Sequence, residues 1–131
     1  MKISIVGAGN VGSLTALRLV QEGMGEVLLI DIVKGLALGK ALDMEDVRPI
    51  VLRDYRIQGT EDIGQLAGSD IIILTAGLPR KPGMTREELL KKNAEILKEI
   101  CDSLKKLAPK AKVIVVTNPL DLMTYFVLRA T

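Results

Sequence analysis

Lys2-Ile3-Ser4-Ile5-Val6 runs straight into Gly7-Ala8-Gly9-Asn10-Val11-Gly12, and after a helical stretch the chain returns as Glu26-Val27-Leu28-Leu29-Ile30-Asp31. The order is strand, glycine turn, helix, strand, acid, and each part has a mechanical reason. Gly7 permits a tight exit from the strand. Gly9, lacking a side chain, lets a pyrophosphate approach the backbone, and Gly12 lets the helix pack closely on the sheet. The helix that starts there offers free N–H groups and the positive end of its dipole to an anion. Asp31 ends the second strand about twenty residues on, where a carboxylate can accept hydrogen bonds from both hydroxyls of an adenosine ribose. The pattern is that of a dinucleotide-binding βαβ unit. A glycine turn without a ligand accounts for the glycines but leaves the placement of Asp31 without a reason.

Outward from this unit the chain keeps alternating. Short, largely β-branched runs at 3–6, 27–30, 71–74 and 113–116 read as buried parallel strands, and a weaker run at 55–58 reads as an edge strand. Between the first two, Val11, Leu14, Leu17 and Val20 recur at helical spacing, widened by Ala16 and Leu19, and Gly23 and Gly25 supply the stop. Residues 36–47 are helical in character, and 62–67 have room for about two turns at most. The longest helix is expected from Arg86 to about Leu107. Thr85 and Glu88 form its capping box, and its buried stripe is Leu89, Leu90, Ala94, Leu97, Ile100, Cys101, Leu104 and Leu107. Glu87–Lys91, Glu88–Lys92 and Asp102–Lys106 stand at ion-pair spacing on its outer face, and Cys101 in the stripe reads as a packed thiol. Residues 120–130 are helix-like.

Right-handed crossovers put the five strands in the order 3-2-1-4-5, a doubly wound α/β sheet with helices on both faces. Ligands bind such sheets outside the carboxyl ends of the strands, where the order reverses. Immediately past those strand ends lie Gly7 to Gly12, Asp31, Thr75-Ala76-Gly77 and Thr117-Asn118-Pro119. Turn residues are needed at strand ends in any case. That need does not explain why so many ligand-type groups converge at one switch point.

Composition narrows the classes. One domain of 131 residues is long enough for a substantial core, which must be aliphatic because the aromatics are two Tyr and one Phe. A net charge of +2 is too small to mark a nucleic-acid surface. The single Cys101 suits a reducing compartment. The first strand opens at Lys2, leaving no room for a leader, and no apolar run has the length of a membrane span, so a cytoplasmic domain is expected. There is no histidine. Acid–base chemistry that needs one must therefore draw it from elsewhere.

Three further stretches make a resemblance specific: 78–86 (LPRKPGMTR), 89–94 (LLKKNA) and 116–121 (VTNPLD). Together with 7–12 and Asp31, they resemble, in order and over the whole chain, the N-terminal half of the lactate/malate dehydrogenase family. The resemblance implies a Rossmann-type fold and NAD as cofactor. It makes Gly7, Ala8, Gly9, Asn10, Val11 and Gly12 the pyrophosphate loop and Asp31 the ribose acid, with Ala76, Gly77, Asn93, Val116, Thr117 and Asn118 completing the cofactor site. An acid at 31 followed by Ile32 and Val33 rather than an arginine disfavours a 2′-phosphate. The resemblance also makes Arg80 the partner of a second substrate carboxylate, as in malate or oxaloacetate, Arg86 the group that polarises the substrate carbonyl, and Asn118 a further substrate contact. From composition alone, Arg80, Lys81 and Arg86 read as a solvated basic loop.

The family continues beyond the position of Thr131 into a D-x-x-R pair and a catalytic histidine, neither of which is matched here. The expectation is an isolated NAD(H)-binding domain that holds cofactor without turnover, with no catalytic residue of its own and no metal. Self-association through apolar surface uncovered by the truncation is a further expectation, while a lactate dehydrogenase-like parent, an engineered or reconstructed scaffold with a binding role alone, and the ordered or proteolysed part of a full enzyme stand as alternatives. The segment 77–86 is expected to be the most mobile, as a lid hinged at Gly77 and Gly83.

Overall fold

Lys2–Val6 (β1), Glu26–Ile30 (β2), Arg56–Thr60 (β3), Ile71–Leu74 (β4) and Lys112–Val115 (β5) form one sheet, parallel throughout, in the order β3-β2-β1-β4-β5. The computed structural model describes residues Met1–Thr131. The strand order and the helices on both faces are those the sequence leads one to expect. Side chains alternate across the sheet and divide the core in two. Ile3, Ile5, Val27, Leu29 and Ile57 face Asn10–Glu22 (α1) and Leu36–Asp46 (α2), which contribute Ala16, Val20, Ala37, Ala41 and Met44. Val6, Leu28, Ile30, Ile72 and Leu74 face Arg86–Leu107 (α4) and Leu120–Ala130 (α5), which contribute Leu97, Ile100, Cys101, Leu104, Met123 and Val127.

Several local expectations are corrected. In α1 the buried line is Gly12, Ala16 and Val20, while Val11 and Leu14 are 56% and 60% exposed. Gly12 and Ala16 let the start of this helix settle close to the sheet, so Val11 and Leu14 turn outward, while Leu17 and Leu19 pack half-buried against the core as expected. The edge strand β3 is displaced from 55–58 to Arg56–Thr60, which brings Gly59 into the ladder. A Cβ there would lie 2.0 Å from the Ala37 carbonyl oxygen, so α2 sits against bare backbone. Arg48–Val51 (α3) adds a helical turn that the periodicity does not signal, and 62–67 contracts to one 3-10 turn, Ile63–Leu66. β5 is covered less than a doubly buried strand should be, with Ile114 49% exposed.

On α4, Thr85 and Glu88 close the capping box in both directions. The backbone and side chain of Thr85, hydrogen-bonded to the Glu88 carboxylate, hold its pKa below the ordinary value. Glu88 is thereby committed to the cap, and Lys98 Nζ lies 3.1 Å from Asp102. Glu88–Lys92 and Asp102–Lys106 are accordingly not formed, nor is Glu87–Lys91, and the only ion pair on this helix is Lys98–Asp102. Cys101 is fully buried, and burial, with the Asp102 carboxylate nearby, pushes its thiol pKa up. A thiol-alkylating reagent is therefore expected to modify Cys101 in urea and to leave the native chain unmodified over the same interval. Rapid native labelling would mean that α4 opens locally. Because this pKa is raised on folding, the group favours the folded state least at alkaline pH, where the unfolded thiol ionises and the buried one does not.

Candidate functional site

The turn after β1 is held from both sides. Gly7 N–H donates to the Ile30 carbonyl at 2.8 Å, and the N–H groups of Thr75 and Ala76 donate to the Val6 carbonyl at 2.9 and 2.8 Å. Thr75 Oγ1 donates to the Gly7 carbonyl at 3.0 Å. β1, β2 and β4 are thus locked together at the point where the strand order reverses. Gly7 adopts φ +110°, and a Cβ on Gly12 would fall 1.8 Å from the Gly7 carbonyl oxygen, so the start of α1 is pressed against the turn. Gly9 faces open space, with nothing within 4 Å of where a Cβ would stand. It is the N-cap of α1, which has no side-chain cap and no acid in its first turn. The N–H groups of Asn10, Val11 and Gly12 find no backbone acceptor. An uncapped helix end opening onto bare backbone is suited to an anion.

Asp31 stands at the carboxyl end of β2, half-buried. Its Oδ2 accepts from Ala8 N–H at 2.7 Å and its Oδ1 from Val33 N–H at 2.9 Å, tying the glycine loop to the loop after β2. Beside it opens a cavity of about 490 Å³, lined by Gly7, Gly9, Asp31, Ala76 and Gly77 among the residues picked out in the sequence. The same cavity has apolar walls that the sequence reading missed. Ile32 and Val33 come from the β2–α2 connection, Leu36 from the start of α2, Ile63 from the 3-10 turn, and Ile96 and Ile100 from α4. A signal for part of this was present. Ile96, Glu99, Ile100 and Ser103 recur at i, i+3, i+4 and i+7, one face of the long helix, and all four line the cavity. Apolar walls with a few placed polar groups suit a flat heterocycle joined to a sugar.

Asn93, Thr117 and Asn118 are brought together on the other side of β4. Asn93 is 2% exposed; its Oδ1 accepts from Leu78 N–H at 2.8 Å and its Nδ2 donates to the Asn118 carbonyl at 2.9 Å. The Thr117 hydroxyl donates to the Ala76 carbonyl at 2.7 Å. Asn93 is therefore a clasp between the loops that come after β4 and β5. Replacing it by Ala leaves the Leu78 N–H and the Asn118 carbonyl without their partner. The expected result is a loss of about 2–3 kcal/mol in a urea melt, together with weakened cofactor binding. Val116, 38% exposed, comes directly after β5 and donates its N–H to the Leu74 carbonyl.

Arg80 and Arg86 do not join the cavity. Both are exposed, Arg80 in the loop after β4 and Arg86 at the first turn of α4. Arg80 Nε donates to the Met84 carbonyl at 3.0 Å, which folds the loop back on itself and leaves the outer nitrogens free. Gly83 has φ +83° and can act as a hinge, but Gly77 is a packing position, where a Cβ would lie 2.7 Å from Thr117 Cγ2. The loop is anchored as far as Leu78 by Asn93. Among the acidic residues and Cys101 there is no cluster suited to a metal ion. No helix is long and apolar enough to cross a membrane.

Comparison with known proteins agrees with this geometry. The family model for the NAD-binding domain of lactate/malate dehydrogenase matches residues 1–131. The chain is 49% identical over 131 residues to a malate dehydrogenase of Methanosarcina mazei, covering 100% of this chain and 43% of that protein. It is 52% identical over 126 residues to a malate dehydrogenase of Chlorobium luteolum, covering 95% and 41%. Among solved structures, malate dehydrogenase from Archaeoglobus fulgidus in complex with NADH superimposes with a TM-score of 0.94 at 42% identity, over 100% of this chain and 45% of that one. The chain thus spans less than half the length of these relatives, and it belongs to the NAD-binding domain family of the lactate/malate dehydrogenases.

Proposed function

We propose that this domain binds NAD(H) with the pyrophosphate on the N–H groups of Gly9, Asn10 and Val11, the adenosine ribose on Asp31, and the adenine in the apolar cavity beyond it. The observation that carries this reading is the alignment, at one switch point, of an uncapped helix end, the open face of Gly9 and the Asp31 carboxylate. Ala8 and Gly12 shape the loop, while Ala76, Gly77, Val116, Thr117 and Asn118 lie toward the nicotinamide side, with Asn93 holding their loops in place. Bound NAD supplies the ring that exchanges hydride with substrate. The residues of this chain orient it and exclude water.

The whole protein is proposed to act on a small 2-hydroxy acid with two carboxylates, of the malate/oxaloacetate kind. Arg80 supports this choice, because its free guanidinium nitrogens can take a second carboxylate in a forked pair. Arg86 is the proposed clamp on the reacting oxygen and Asn118 a second contact. A cytoplasmic setting suits a lone, buried, reduced cysteine.

Calorimetric titration tests the cofactor reading. NADH is expected to bind with a Kd of about 10⁻⁵–10⁻³ M. ADP-ribose should bind nearly as well, because the adenosine half makes most of the contacts, and NADPH much more weakly. Equal affinity for NADH and NADPH would overturn the role given to Asp31.

A further inference from the structure

We propose that Glu61 is a second determinant, beside Asp31, of which dinucleotide enters this cleft, and that its carboxylate turns away a phosphate on the adenosine 2′-hydroxyl. The inference rests on the cofactor reading above and adds a residue to it. In the β2–β3 ladder, Ile30 is paired with Thr60, and Asp31 N–H donates to the Thr60 carbonyl at 3.2 Å. Continued by one residue, that register sets Asp31 and Glu61 side by side at the carboxyl ends of neighbouring strands, about 4.8 Å between backbones. Both line the same cavity.

Glu61 is also held in place. Its Oε1 accepts from Gly35 N–H at 2.7 Å, across the mouth of the loop that carries Ile32 and Val33. Glu61 is exposed, and the bond orients its carboxylate along this rim of the cavity and ties the loop to it. The lining of the cavity contains Asp31, Glu61 and Glu99 and no lysine or arginine. A ribose hydroxyl beside these two carboxylates finds acceptors. A phosphate there meets two like charges with no cation to offset them. Asp31 spends both oxygens on the backbone N–H groups of Ala8 and Val33, whereas Glu61 spends only one on Gly35. Replacing Asp31 alone therefore leaves part of the barrier to the 2′-phosphate standing.

The test titrates the chain with ADP-ribose and with 2′-phospho-ADP-ribose, reading the ratio of the two affinities in wild type, Asp31→Ser, Glu61→Gln, Glu61→Ala and the Asp31→Ser/Glu61→Gln pair. Glutamine keeps an acceptor for Gly35 N–H and removes the charge. Both Glu61 variants are expected to shift the ratio toward the phosphorylated ligand by about tenfold at low salt, and less at 0.5 M salt. The double variant should discriminate less than Asp31→Ser alone by a similar factor. Glu61→Ala should in addition weaken both ligands, through loss of the loop tie. An unchanged ratio in both Glu61 variants, with ADP-ribose still bound by wild type, would overturn this inference and leave the cofactor reading intact. Failure of wild type to bind ADP-ribose would overturn both.

Discussion

Gly12→Ala is expected to cost about 3 kcal/mol of folding stability and to abolish detectable NADH binding. The added methyl would stand 1.8 Å from the Gly7 carbonyl oxygen and 2.7 Å from Thr75 Oγ1. The first of these is backbone, already fixed by the bond from Gly7 N–H to Ile30. Relief requires α1 to lift from the sheet, which opens the core around Ala16 and Val20 and misplaces the N–H groups that face the pyrophosphate. Gly9→Ala is the informative contrast. Its methyl meets nothing in the chain, so stability should change by less than about 1 kcal/mol. Binding should still fall by about tenfold or more, because the methyl occupies the space over which the pyrophosphate must approach. Urea melts and NADH titrations of the two variants measure both quantities. A Gly12→Ala chain with wild-type stability would mean that the turn is far softer than its hydrogen bonds indicate.

The second large effect is on turnover. A preparation of these 131 residues is expected to bind NADH and yet show no oxidation of it by oxaloacetate above the blank. General acid–base catalysis contributes about 10²–10⁴-fold, and a positioned substrate clamp several further orders of magnitude through orientation. The chain contains no histidine. Arg80 and Arg86 sit in an exposed loop and helix end with no opposing wall. The measurement is loss of NADH absorbance with oxaloacetate, using domain purified until activity no longer tracks contaminating host enzyme. Turnover that stays with the domain and vanishes in Arg86→Ala would sink this expectation and reveal another proton donor.

The parts of the fold legible in the sequence are those where one physical cause dominates. The strands β1, β2 and β4 are buried on both faces, so they read as unbroken apolar runs. Thr85 and Glu88 mark the start of α4 because a cap is a local device. The misreadings fall where a distant contact overrides the local pattern. Val11 and Leu14 match helical spacing, but the close approach of α1 at Gly12 rotates them outward. Gly59 looks like a strand breaker until Ala37 is seen against it. The site divides the same way. The loop 7–12 and Asp31 are given by motif and spacing, whereas the adenine-side wall is assembled from α2, the 3-10 turn and α4. The clasp made by Asn93 depends on two loops that only the folded chain brings together.

The strand order has a consequence for how the domain comes into being. β1 is made first yet ends up in the middle, and its second neighbour, β4, arrives only after β2 and β3. Thr75 and Gly7, which close the crevice, are 68 residues apart. A nascent chain therefore carries a complete glycine loop long before it has a pocket, with the N–H and C=O groups along one edge of β1 unpaired meanwhile and open to mispairing. Cofactor offered during synthesis meets only part of its site until β4 and α4 dock. It acts as a latch on the finished domain, slowing its unfolding, rather than as a template for its assembly.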